Sequence, residues 1–253
     1  MDTLILHRKD NYVIIEMNNG KVNAINAALS RDLKEAFQSL EQDDSVAGVI
    51  LAGRPHGFSA GIDMMSLATG GPEGVREFWW EYHSALQAMI KFSKPFVCAI
   101  TGYAPAGGTI LALCADYRVM GKGTKHVIGM HELKLSMVIP DMMGAIYAYH
   151  MGEKRAWKYV QESRLFHSDD ALEVGLVDES VEVEEVLGRA EKHLHKLMAT
   201  HLSVFKASKA YFRKGLLDIA NQPLEPMVDI VAKGWEDPFV QATIKKFLAS
   251  LKK

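Results

Sequence analysis

Two short, uninterrupted apolar runs constrain this chain more than any other feature: Gly48-Val49-Ile50-Leu51-Ala52-Gly53 and Phe96-Val97-Cys98-Ala99-Ile100. A strand with one face in water alternates apolar and polar residues; these runs do not, so both of their faces must be covered. Before the first run, Asn26 to Glu41 carries Leu29, Leu33, Ala36, Phe37 and Leu40 at helical spacing. Between the runs, Gly74 to Phe92 predicts a second long helix, broken at Lys94-Pro95. Doubly buried strands separated by helices predict an α/β fold with a parallel sheet.

The remaining pattern fits that frame. A strand-like pattern starts almost at the N-terminus, and Tyr12 to Met17 reads as a strand closed by the turn Asn18-Asn19-Gly20. Arg54 to Gly61 reads as loop, and Gly102 to Gly108 as a turn of glycine and small residues entering the helical Thr109 to Leu113. Tyr117 to Met120 and Val127 to Gly129 are further strands. From about Pro140 the pattern is helical, in pieces at Gly144 to Met151, Glu153 to Gln161 and Ser168 to Val174, where the Ser168 hydroxyl is expected to cap. Pro223 and Pro226 break the helical last seventy or so residues, which suggests a core over 1–195 and a C-terminal helical region over 196–253.

Composition excludes several classes. The 253 residues are 48% apolar, enough for a sizeable core, and the net charge of -2 gives no nucleic-acid or membrane-surface footprint. The ten His are scattered; His193 and His195 fall on different helix faces, so no metal site is expected. Cys98 and Cys114 both sit in apolar runs, which suits buried thiols in a reducing compartment and neither a disulfide nor a catalytic thiol. With no leader pattern, no spanning stretch and an ending Ser250-Leu251-Lys252-Lys253 unlike the peroxisomal Ser-Lys-Leu, a soluble cytoplasmic protein is the expectation.

Chemistry concentrates in two loops that follow the two apolar strands, Phe58-Ser59-Ala60-Gly61-Ile62-Asp63 and Ala104-Pro105-Ala106-Gly107-Gly108. Small residues let a ligand approach the backbone. The second loop opens a helix, whose free amides favour developing negative charge. Either loop alone is accounted for by a tight strand-to-helix turn, and neither matches a phosphate loop or a dinucleotide fingerprint. Two amides aimed at one oxygen would make an oxyanion hole.

Together the segments resemble the enoyl-CoA hydratase/isomerase family, the crotonases. Val22-Asn23-Ala24-Ile25-Asn26 is similar to the family's Asn-Ala-Leu-Asn, and Phe58 to Asp63 to its Phe-Ser-Ala-Gly-x-Asp. The likeness continues through Lys94 to Ala104, Gly107-Gly108, Leu111 to Leu113, Asp116-Tyr117-Arg118 and Ala171 to Asp178, in order from about residue 12 to residue 180. It implies a spiral of ββα units with tail helices covering a neighbour, in a homotrimer or dimer of trimers. It implies an acyl-CoA thioester substrate, CoA entering as part of that substrate and no other cofactor. It also implies that the amides of Ile62 and Gly107 bind the thioester oxygen, with the CoA adenine near Ala24, Ala60 and Asp63; Gly61 and Gly108 belong to the same loops. One such donor is typically worth about 3–4 kcal/mol in the transition state.

Hydratases of the family use two glutamates, and at the position of the first this chain has Ile110. Glu132, in Gly129-Met130-His131-Glu132-Leu133-Lys134-Leu135, matches the second. Pro105 to Gly108 and Ile128 to Glu132 are most similar to the mitochondrial-type Δ3,Δ2-enoyl-CoA isomerase branch, which implies a double-bond shift from 3-enoyl to 2-trans by one carboxylate. A single base that keeps its proton can take it from C2 and return it at C4. Asp141 is a second candidate acid, against a plain helix cap before Met142. His131 would tune Glu132, touch substrate or bond to backbone. Trp79, Trp80, Tyr82 and Met89 would wall an acyl pocket or simply fill the core. Lys245 and Lys246 would meet CoA phosphates or form a solvated face. Hydration, decarboxylation or thioester hydrolysis on the same fold, or a non-catalytic acyl-CoA-binding subunit, are the competing readings.

Overall fold

The computed structural model describes residues 1–250; Leu251, Lys252 and Lys253 of the tail sequence weighed above lie outside the described residues. Strands β1 (Leu4–Arg8) and β2 (Tyr12–Met17) form an antiparallel hairpin. Helix α1 (Ala27–Gln42) follows, and the Asn26 side-chain oxygen accepts the Leu29 N–H at 2.9 Å. Asn26 is thus the cap rather than the first helical residue. The chain then runs through β3 (Gly48–Ala52), β4 (His56–Gly57), α2 (Met64–Thr69) and α3 (Gly71–Lys91). Pro72 in the first turn lets α3 begin earlier than its apolar spacing suggests. Next come β5 (Phe96–Ile100), β6 (Gly102–Pro105), α4 (Gly107–Leu113), β7 (Tyr117–Gly121) and β8 (Ile128–Gly129). A 3-10 turn at Glu132–Leu135 leads into α5 (Asp141–Met151), α6 (Glu153–Gln161) and α7 (Ser168–Val174). The chain ends with β9 (Glu179–Val181), α8 (Val186–Met198), α9 (Leu202–Phe212), α10 (Lys214–Ala220), α11 (Glu225–Trp235) and α12 (Pro238–Ser250).

The large sheet has the order β1-β2-β3-β5-β7-β9 and is parallel from β2 onward. A small parallel sheet has the order β4-β6-β8. After the first hairpin, three successive turns of the chain each give one strand to the large sheet, one to the small sheet and then helix, a ββα spiral. The two apolar runs, β3 and β5, are buried at every residue. Their alternate side chains divide between layers: Val49, Leu51, Phe96 and Cys98 enter the main core, while Ile50, Ala52, Val97 and Ala99 meet Val186, Ala190 and Leu194 of α8 on the other face. That double covering is why neither run alternates.

Two stretches read as loop and turn, Arg54 to Gly61 and Gly102 to Gly108, contain β4 and β6. These strands of two and four residues are paired by the turn stacked above them, and no side-chain pattern announces them. Gly53 makes the corner between the sheets: a Cβ there would lie 2.4 Å from the Phe58 Cα. Ser168 is not a cap. It is buried inside the first turn of α7, His167 precedes the helix, and neither side chain bonds the free amides.

The C-terminal region is helical as expected, and α10 to α12 pack on the core of the same chain, where Leu216, Ala220, Val228, Trp235 and Ile244 are buried in the main cluster. Residue 195, the expected boundary, falls inside α8, a helix that covers the large sheet. The tail is bolted down by Asp116, which accepts the Phe96 N–H at 2.9 Å, Lys209 Nζ at 2.8 Å and an Arg213 guanidinium nitrogen at 2.9 Å. Burial pulls the Lys209 ammonium down to about 8, with the Asp116 charge opposing that shift. Removing one partner of such a network strands the others without compensation in a dry site. Asp116→Ala is expected to lower the unfolding free energy by about 3–5 kcal/mol, which a urea denaturation curve at neutral pH will show.

Candidate active site

The spiral stacks the loop after β3 against the loop after β5. In the first, the Ser59 hydroxyl donates to the Asn23 carbonyl at 2.7 Å and accepts the Gly61 N–H at 3.1 Å. Ile25 N–H donates to the Gly61 carbonyl at 2.8 Å, and Asp63 N–H to the Ile25 carbonyl at 2.9 Å, closing a parallel bridge. Successive amides of extended chain point to opposite sides, so the Ile62 N–H faces away from Ile25. In the second loop Ala106 has φ 53° and ψ -120°, a sparsely populated conformation for alanine. Gly107 opens α4, and its N–H has no place in the helix ladder.

The two loops touch. A Cβ at Gly61 would lie 3.7 Å from the Gly107 nitrogen, and one at Gly107 would lie 3.2 Å from Ile62 Cγ1. Among the described residues neither the Ile62 nor the Gly107 amide donates a hydrogen bond to the chain. Gly108 stands one layer back, where a Cβ would crowd the Ser59 carbonyl at 3.1 Å, so its role is the packing of α4 on the first loop.

Beside these amides opens a cavity of about 310 Å³. Ala24, Ala60, Ile62, Asp63 and Ala106 line it together with His131 and Glu132. The other walls come from Met64 and Met65 of α2, from Leu135 and Met137 beside the 3-10 turn, and from Phe247 and Leu248 of α12. The contributions of α2 and α12 went unread in the sequence, where nothing ties residue 247 to residue 62. The Asp63 carboxylate is occupied at the start of α2, accepting the Ser66 N–H at 3.0 Å and the Ser66 hydroxyl at 2.6 Å.

Glu132 is 3% exposed, and neither carboxylate oxygen has a hydrogen-bond partner among the described residues. Its main-chain surroundings fix it: Met137 N–H donates to the Glu132 carbonyl at 3.1 Å, and Ser136 closes the turn in a left-handed conformation at φ 59°. Burial pushes the carboxyl up to about 7. The Glu132 and His131 amides pull weakly the other way, without the geometry of a hydrogen bond. The site thus holds a carboxyl poised to exchange a proton near neutral pH, next to two free amides that favour a negative oxygen.

His131 lines the cavity with its Nδ1 buried and unpartnered, so the expected bond to backbone is not formed there. Burial lowers its pKa, with Lys134 adding to the effect, which favours the neutral ring. Asp141 lies outside the cavity lining: it is exposed as the first residue of α5, its carboxylate accepts the adjacent Met142 N–H at 2.7 Å, and Pro140, not Asp141, holds the cap position. Ile110 is fully buried in α4. Of the α3 aromatics, Trp79 and Tyr82 are core residues and Trp80 is 39% exposed, so none of the three lines this cavity. Lys245 and Lys246 are exposed. Among the described residues no group of three His, Cys, Asp or Glu is placed to hold a metal ion, and no helix is long and apolar enough to cross a membrane.

A ββα spiral of this kind is the arrangement of the crotonase fold. Comparison with known proteins agrees. The family model described as enoyl-CoA hydratase/isomerase matches residues 7–250, and the chain belongs to this family. It is 30% identical to the mouse mitochondrial enoyl-CoA delta isomerase 1 over 240 residues, 94% of this chain and 83% of the relative. It is 34% identical over 189 residues to the probable enoyl-CoA hydratase EchA17 of Mycobacterium bovis, 74% of this chain and 71% of the relative. The crystal structure of human mitochondrial delta3-delta2-enoyl-CoA isomerase superposes with a TM-score of 0.95 at 26% identity, covering 99% of this chain and 98% of that one.

The raised Glu132 pKa has a consequence for stability. The carboxyl holds its proton more tightly folded than unfolded, so this group's contribution to stability falls as pH rises through the window from 4.5 to about 7. Glu132→Gln removes the effect. Between about pH 4 and pH 8 the wild type is expected to lose about 3 kcal/mol relative to the variant, measured as paired urea denaturation curves in which the other titrations cancel.

Proposed function

We propose that this protein is an acyl-CoA isomerase that moves the double bond of a 3-enoyl-CoA to the 2-trans position. The observation that carries the reading is the single dry carboxylate, Glu132, sharing a cavity with the Ile62 amide and adjoining that of Gly107 while Ile110 occupies the place of a second acid. The thioester carbonyl sits against the two N–H groups, with the CoA adenine beside Ala24, Ala60 and Asp63. Glu132 removes a proton from C2, the electron pair moves onto the thioester oxygen, and the resulting enolate is held by the amides. The double bond then forms between C2 and C3 as Glu132 returns the proton to C4. The dry apolar walls keep the proton on the carboxyl between the two steps, and no water needs activation. CoA arrives with the substrate, and no other cofactor enters.

The names of the mouse and human relatives support this reading. In the same reading the subunits form a homotrimer or a dimer of trimers, and two buried free thiols, Cys98 and Cys114, support a reducing compartment, here the cytoplasm. Hydration remains the second reading because a relative at 34% identity carries a hydratase name. The deciding experiment incubates purified protein with a 3-enoyl-CoA and a 2-enoyl-CoA and analyses products by mass spectrometry. Isomerisation of the first is expected, with no water added to either, and Glu132→Ala should lower the rate by about 10²–10⁴-fold. Equal rates for the two proteins would remove Glu132 from the mechanism, and a 3-hydroxyacyl product would favour the hydratase.

A further inference from the structure

We propose that the Tyr82 hydroxyl is a positioning residue for the oxyanion hole: it clamps the first turn of α4 from behind and holds the Gly107 amide on the thioester oxygen. The proposal rests on the oxyanion reading above and adds a residue outside the cavity lining.

Tyr82 is fully buried on α3, and its hydroxyl donates to the Gly107 carbonyl at 3.0 Å. No backbone requirement explains this bond. In the first turn of α4 the Gly107 carbonyl is already placed to accept from the helix ladder, and Tyr82 uses its spare lone pair. The ring is enclosed by several aromatic neighbours, so no one of them alone fixes it: Phe78 at 5.7 Å, His83 at 5.6 Å and Trp79 at 6.3 Å between centroids. A fixed ring makes the hydroxyl a fixed point.

Gly107 needs such a point because of the residue before it. Ala106, at φ 53° and ψ -120°, is in a conformation that an unrestrained alanine would leave. The Ala106 N–H is pinned on one side by the Gly129 carbonyl at 2.8 Å. Tyr82 pins the other side of the same short segment, and the Gly107 N–H lies between the two restraints. The hydroxyl approaches so closely that a Cβ at Gly107 would come within 3.2 Å of it, so the clamp and the glycine fit each other. Tyr82 is also close enough to Glu132 for that carboxylate's charge to add to the rise in its pKa, behind desolvation and Cys114, so the phenol stays protonated and a donor throughout turnover. A displaced amide costs rate steeply, because oxyanion stabilisation depends on donors being in place before charge develops.

The test compares the wild type with Tyr82→Phe, which keeps the ring and deletes one oxygen, and with Phe78→Leu, which loosens the packing and keeps the hydroxyl. The probe is hexanoyl-CoA carrying ¹³C at the thioester carbonyl. Three quantities are read: its dissociation constant, the carbonyl stretch of the bound form by isotope-edited infrared difference, and exchange of its C2 hydrogens with D₂O, which needs enolate formation but no double-bond shift. Tyr82→Phe is expected to bind the probe within about twofold of wild type, to lose part of the carbonyl shift and to exchange about tenfold more slowly. Phe78→Leu is expected to melt lower with shift and exchange unchanged. Tyr82→Phe with wild-type shift and exchange overturns the proposal, as do losses that follow melting temperature alike in both variants. If Tyr82→Phe does not fold, retention of the full shift by Phe78→Leu at a lowered melting temperature supports the clamp, and loss of it overturns the clamp. A wild type without carbonyl shift overturns oxyanion hole and clamp together, whereas shift and exchange without isomerisation overturn only the isomerase reading.

Discussion

The site depends on the register between successive turns of the spiral. Ile50 of β3 stands opposite Val97 of β5, and His56 of β4 opposite Gly102 of β6, so the chain leaves both sheets at the same height twice. Loops that leave at the same height come to lie against each other, although some forty residues separate them in sequence. A slip of one residue in β3 against β5 would turn the apolar faces over and carry Gly61 away from Gly107. Burial on both faces makes that slip prohibitive, and the main core and the α8 layer each hold alternate residues of the same strands. The geometry of two amides is therefore guaranteed by packing some distance from them.

Within that frame the protein maintains one unfavourable arrangement. A carboxylate with two unpartnered oxygens in an apolar wall is the kind of group that folding ordinarily avoids. The strained Ala106 and the left-handed Ser136 flank the same cavity, one on the amide side and one on the carboxylate side. Each costs on the order of 1–3 kcal/mol when held away from its preferred conformation. These costs fall where the fold has most to spend, between a fully buried sheet and a tail fastened by the Asp116 network.

The strands β3 and β5, the long helix α3 between them and the two glycine loops were legible in sequence, because burial on both faces and close backbone approach leave direct marks on residue choice. Glu132 stood out through the motif around it, and the fold places it in the cavity lining. The small sheet was not legible: β4 and β6 are two and four residues long, and their pairing comes from stacking turns rather than from side-chain alternation. Nor were the far walls of the cavity, since Phe247 and Leu248 have an ordinary amphipathic helical context and only the return of the tail over α2 brings them to Ile62. Nearness in sequence does not bring Asp141 to the cavity: only nine residues after Glu132, it stands at the exposed start of the next helix, its carboxylate bonded to the amide of Met142.

The isoleucine at residue 110 bears on the electrostatics of the interior. The side chain there is fully buried in the first turns of α4, packed in the main core. A glutamate at that place would bring a second carboxyl into the same dry interior as Glu132, and two carboxylates sharing a low-dielectric site cannot both ionise without one pKa rising far. With isoleucine at that place, the Glu132 pKa is set mainly by burial. A carboxyl raised by burial gains or loses its proton according to whatever occupies the cavity. In the proposed isomerisation one such carboxyl suffices to carry the proton, and a second acid to orient water has no part.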